Sequence, residues 1–147
     1  MSYTGSTTIG SNFQGSTLLG STYNGNVEIA AATCFAGGGD LIGNGGSLIV
    51  NGSFTLQNAL ELNTQGLTVH VNTGESFIWS GIISGSGGLT IDNQGTLTLS
   101  GVNTYSGATA LQGGTLILGS STALGSGSLA MTGGVLTTNQ ALSIANV

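Results

Sequence analysis

The side chains able to do chemistry are few and scattered. The 147-residue chain has one cysteine, Cys34, one histidine, His70, and five carboxylates, Glu28, Asp40, Glu61, Glu75 and Asp92; it has no lysine or arginine. One thiol and one imidazole are too few for a tetrahedral zinc site. A serine triad would have to use His70, and no nucleophile-elbow motif surrounds any serine. Glu28, Glu61 and Asp92 could meet across the fold as the carboxylate pair of a glycoside hydrolase, but nothing in their spacing requires it. The glycine-rich run 37–46 resembles calcium-binding nonapeptide repeats. It supplies only Asp40, whereas calcium takes about six to eight oxygen ligands. Phe77, Trp79 and Tyr105 could form a sugar-stacking platform, and packing in the interior or in turns is their expected role. Asn51-Gly52-Ser53 is formally a glycosylation sequon and reads as a turn. The expectation is a protein that is not an enzyme, with no cofactor and no metal.

Composition narrows the partners. Phosphate binding needs a basic footprint, so a chain without Lys or Arg is not expected to bind nucleic acid. An electrostatic membrane anchor fails for the same reason. No apolar run approaches the ~20 residues of a spanning helix, and the alternating ~10-residue strands of a membrane barrel are not evident, so no membrane insertion is expected. Met1-Ser2-Tyr3 lacks the basic start and apolar core of a signal peptide. Cys34, being alone, can form no internal disulfide. Glycine contributes 28 residues and proline none, while 39% of the chain is hydrophobic and only 3% charged. That balance points to packed sheet rather than disorder.

The elements that must position these residues are short strands with a long repeat. Leu97 and Leu116 lie 19 residues apart in matching words, Gly95-Thr96-Leu97-Thr98-Leu99 and Gly114-Thr115-Leu116-Ile117-Leu118. Leu89, Leu111 and Leu129 read as a parallel series. Residues 26–79 hold further strand words, among them LTVHV at 67–71, in which Leu67, Val69 and Val71 alternate with Thr68 and His70. Self-similarity at about 20 residues marks stacked repeats that cannot bury their apolar faces alone. No segment carries a helical stripe with caps. The expected fold is all-β: a right-handed parallel β-solenoid, or β-helix, of about six coils of roughly 20 residues.

Residues 1–25 carry their own decapeptide repeat. Tyr3, Phe13 and Tyr23 recur every ten residues, with Ile9, Leu19 and Ile29 six positions after each aromatic. An even period keeps these side chains on one face of an extended chain. Two structures fit: half-coils that continue the solenoid, or an arm with one adhesive face. The domain boundaries expected are therefore 1–25 for the arm or half-coils and 26–147 for the solenoid.

Residues of about 80–135 also resemble a known family. The resemblance rests on Ser84-Gly85-Ser86-Gly87-Gly88-Leu89-Thr90, Gly95-Thr96-Leu97-Thr98-Leu99-Ser100-Gly101, Asn103-Thr104-Tyr105-Ser106-Gly107 and Gly113-Gly114-Thr115-Leu116. These blocks are similar to the autotransporter-associated β-strand repeat of bacterial surface proteins, with Ile91 where that repeat usually has Lys. The resemblance implies a passenger-type β-helix displayed outside the cell.

The function expected is that of a structural subunit of an extracellular filament or matrix fibre. Its partner would be itself, joined head-to-tail through the solenoid ends. The C-terminal ALSIANV (141–147) reads as a strand with no evident cap, and an uncovered edge is a template for another chain. The candidate assembly residues are Tyr3, Ile9, Phe13, Leu19, Tyr23, Ile29, Leu142 and Ile144, with the decapeptides donating strands to a neighbour. The alternative is a fragment of an autotransporter passenger acting as a stalk or adhesin, with a surface glycan or host ligand as partner.

Overall fold

The computed structural model describes Thr7–Thr8, Thr17–Gly20, Asn26–Ile29 and residues 40–146. All the regular structure there is β, and every strand pairing is parallel. The chain winds as a three-sided solenoid of about five turns, close to the six expected. Its first side stacks β1 (Thr7–Thr8), β3 (Asn26–Ile29), β5 (Ser47–Val50), β8 (Leu67–Val71), the first halves of β11 (Leu89–Leu99) and β12 (Thr109–Leu118), and β13 (Leu129–Met131). The second side stacks β6 (Phe54–Leu56), β9 (Ser76–Trp79), the second halves of β11 and β12, and β14 (Val135–Thr138). The third side stacks β2 (Thr17–Gly20), β4 (Leu41–Asn44), β7 (Leu60–Leu62) and β10 (Ile83–Gly85). Beyond β10 the third side continues without regular strand; the Thr104 amide still donates to Ile83 O and the Ser126 amide to Tyr105 O.

Alternation along each strand sorts side chains into an interior and an outer skin. In β8, Leu67, Val69 and Val71 are buried while Thr68 and His70 are half-buried on the outer side. Register then stacks like on like along the axis. Val27, Leu48, Val69, Ile91 and Leu111 form one interior column on the first side. On the second side Phe77, Leu97 and Leu116 form one column, and Trp79, Leu99 and Leu118 another. Phe77 packs edge-on against Phe54 and Trp79, with ring centroids 5.2 and 5.7 Å away. The Trp79 Nε1 donates to Asn58 O at 2.9 Å, so its one polar atom is satisfied inside the solenoid. Full burial of each such side chain stabilises by roughly 1.5–3 kcal/mol.

The Leu89, Leu111 and Leu129 series divides between two columns. Leu89 and Leu129 share theirs with Thr109, whereas Leu111 pairs with Ile91. One inward position of β12 is thus filled by a buried threonine. The Thr109 hydroxyl is tolerated inside because it lies 2.6 Å from the buried Tyr105 hydroxyl.

Space on the third side is kept by alternating large and absent side chains. Gly43, Leu62 and Gly85 occupy successive rungs, followed by Tyr105 and Gly125. A Cβ on Gly85, whose φ is +103°, would sit 2.2 Å from Leu62 O. A Cβ on Gly43 would sit 2.9 Å from Leu62 Cδ2, and one on Gly125 3.1 Å from Tyr105 Cδ1, so these two side chains extend over rungs that have none. At the adjoining corner Gly107 lies so close to Gly87 that an added Cβ would fall 2.2 Å from its carbonyl carbon.

Candidate assembly surface

The last coil differs from those below it in one respect: its interior face is open. By register Met131 continues the column of Leu111, and Leu136 that of Leu116. Leu111 and Leu116 are fully buried, whereas Met131 is 47% exposed and Leu136 half-buried. Position in the coil is the same; the difference is that, among the described residues, no further rung stacks on Met131 and Leu136. Leu129, Leu136, Leu142 and Ile144 pack against the core from this coil while remaining partly exposed. Val135, on the outer skin, is 57% exposed. Among the described residues, β13 and β14 have a strand partner only in β12.

Of the strand expected at 141–147, residues 141–146 are described and form none. This stretch is the third side of the last coil, and side chains do the work of a ladder there. Gln140 Nε2 donates to Gly119 O at 2.8 Å, and Asn146 Nδ2 donates to Gly125 O and Gly127 O at 3.1 and 2.6 Å. Asn146 O accepts from the Leu129 amide at 3.2 Å. In earlier coils the same contact is made to the Leu67, Leu89 and Thr109 amides by Gly88, Ala108 and Ser128. Asn146 therefore stands where each earlier coil steps up to its next first-side strand.

Asn103 plays a related part inside the body. It is buried, its Oδ1 accepts from the Ile83 amide at 2.9 Å, and its Nδ2 donates to Ala123 O at 2.7 Å. One side chain thus joins three coils where the third side has no strand. Asn93 is buried too: its Oδ1 accepts from the Val71 amide at 2.9 Å, but its Nδ2 has no partner. Tyr105 closes the set, with burial pushing its hydroxyl up to about 12 against the smaller opposing pull of its Thr109 hydrogen bond.

The candidate assembly residues fall in different places. Tyr3, Ile9, Phe13 and Tyr23 lie outside the described residues. The backbone of Leu19 sits in β2, in register with Gly43. Ile29 is fully buried, with Val50 stacked on it, so it faces the chain's own interior. Leu142 and Ile144 lie together on the open coil. Met131 and Leu136 lie on the same open coil and were not among the candidates. Nothing in a sequence repeat marks which copy is uncovered.

The groups considered for chemistry are dispersed over the outer skin. Glu28 accepts from Asn51 Nδ2 at 2.8 Å and Glu75 from Ser53 Oγ at 2.6 Å, both from neighbouring coils. Asn51 Oδ1 also accepts from Asn72 Nδ2 at 3.0 Å, so the sequon asparagine belongs to a ladder. Glu61, Asp40 and Asp92 are exposed, and His70 is half-buried beside Ile49 on the next rung. Among the described residues no three His, Cys, Asp or Glu side chains gather to hold a metal, and no helix is long and apolar enough to cross a membrane. Cys34 lies outside the described residues. Phe77, Trp79 and Tyr105 are interior.

Comparison with curated proteins and with solved structures gives no match. One family model does match. Residues 89–118, which are β11, the Asn103 clasp and β12, match the model of the passenger-associated-transport-repeat, and this repeat together with the β-solenoid fold fits an autotransporter passenger-type domain.

Proposed function

We propose that this chain is a structural, non-catalytic rod segment, displayed outside the cell, that extends end to end by adding rungs to its last coil. The observation that carries this reading is the contrast between fully buried Leu111 and 47% exposed Met131 in one interior column. A further parallel rung over Leu129, Met131, Leu136, Leu142 and Ile144 would bury them as their counterparts are buried. A second copy can supply that rung. Two described strands within residues 1–25, β1 and β2, pair in parallel with β3 and β4, which supports the half-coil reading of this region over the free arm. Its outer edge would then be a rung of the same kind, and the joint would be heterologous and head-to-tail. Such contacts do not close on themselves and so build filaments. With few charges anywhere on the chain, repulsion between stacked copies is small.

A second reading has its own observation. Asn146 stands at the step to a further first-side strand, so the covering rung can equally come in cis from a longer passenger, in which this segment is a stalk or carries an adhesive surface for a glycan or host ligand. Sedimentation of the chain alone against Leu136→Glu tests the end-to-end reading. The wild type is expected to form large species with rising concentration and the variant to remain monomeric. Identical behaviour of the two would refute assembly through this coil.

A further inference from the structure

The outer skin of the second side carries a pattern that none of the roles above uses. One outward column runs Thr55, Ile78, Thr98, Ile117, Thr137, each pair fixed by strand register. Threonine and isoleucine alternate along the axis, so a wide side chain stands at every second rung, roughly 9.6 Å apart. Thr98 sits in the gap between Ile78 and Ile117 and is only 8% exposed although it points outward. Beside it runs Ser76, Thr96, Thr115, Val135. None of these positions is charged. Glu28, His70 and Asp92 belong to the first side and its corner, Asp40 and Glu61 to the third, and Glu75 only borders the second side, preceding Ser76.

We infer that this face is a lateral contact between copies of the chain, in which the second sides of two rods pack together with Ile78 and Ile117 of each over the threonine gaps of the other. Displacement by one rung converts ridge into gap, so the column is complementary to itself. Face-to-face sheets of this kind lie about 10 Å apart with their side chains interdigitated. The distribution of charge fits the same partner: copies of a chain with net charge −5 meet here without opposing carboxylates.

Area sets when the contact can form. Five rungs at about 4.8 Å and four residues at about 3.3 Å give roughly 300 Å² per copy. A stable pair needs about 800 Å² on each partner. Single subunits are therefore too small to pair, and about three joined end to end are needed. The inference rests on the end-to-end reading above, and it makes bundling a consequence of filament growth.

Electron microscopy of three variants beside the wild type tests it. Ile117→Glu and Thr115→Glu place a carboxylate on the second side; Gln112→Glu adds the same charge at an exposed site outside it. The wild type and Gln112→Glu are expected to give filaments associated side by side. Ile117→Glu and Thr115→Glu should give single filaments, with paired ones reduced roughly tenfold or more by like charges brought face to face. Bundles that persist in Thr115→Glu, or wild-type filaments that stay single, overturn the lateral contact and leave end-to-end growth standing. Wild-type protein that forms no filaments overturns both.

Discussion

The Asn103 side-chain oxygen accepts the Ile83 amide proton at 2.9 Å, from one full coil away in sequence. With the bond from Nδ2 to Ala123 O at 2.7 Å, a single amide replaces the ladder that β-strands would otherwise provide. Substituting Asn103→Val leaves a donor and an acceptor buried without partners, each costing about 1–3 kcal/mol. The expected loss is about 2–6 kcal/mol, read from urea unfolding.

Asn93 gives the contrasting case. Its oxygen serves the Val71 amide, but its nitrogen has no partner. Asn93→Val orphans one group while removing another that was already unsatisfied, so the two effects partly cancel. The variant should lose at least about 1 kcal/mol less than Asn103→Val, one orphaned group fewer. Equal losses would contradict the role assigned to Asn103.

Tyr105 links the fold to pH. Burial raises its hydroxyl to about 12 from an ordinary 10.0. Below pH 10 the phenol is neutral folded and unfolded, and its packing counts in full. Between pH 10 and 12 only the unfolded chain releases the proton, so stability falls as pH rises through that window. Two units correspond to about 2–3 kcal/mol. Alkaline unfolding of the wild type should therefore steepen there relative to Tyr105→Phe. The variant should lose about 1 kcal/mol at neutral pH with the Thr109 hydrogen bond.

Close backbone approach separates two glycines. At Gly107 an added Cβ would lie 2.2 Å from the Gly87 carbonyl carbon, whereas at Gly74, with φ +81°, it meets nothing within 4 Å. Gly74→Ala should cost only the left-handed backbone strain, about 1–3 kcal/mol. Gly107→Ala forces two coils apart and is expected to cost more than about 4 kcal/mol or to prevent folding. Thermal melts of the pair decide it.

Much of this architecture could be read in the sequence, because parallel stacking repeats the same demand at every rung. The 19-residue spacing of Leu97 and Leu116 is their register in the solenoid. LTVHV is a strand with Leu67, Val69 and Val71 inward. What stayed hidden depends on side chains replacing backbone. Thr109 enters an apolar column because Tyr105 satisfies it, which made the leucine series appear continuous. Asn103 sits in a repeat block and Asn146 in a stretch expected to be a strand, and only the fold reveals that their amides bridge coils. The open coil was legible only at Leu142 and Ile144; Met131 and Leu136 looked like any other rung.

End-to-end growth through that coil is the central claim, and negative-stain electron microscopy of the purified chain at micromolar concentration tests it most directly. The expected result is filaments whose axis runs along the solenoid, lost when Met131 and Leu136 are both replaced by glutamate. A uniform field of monomers from the wild-type chain would contradict it.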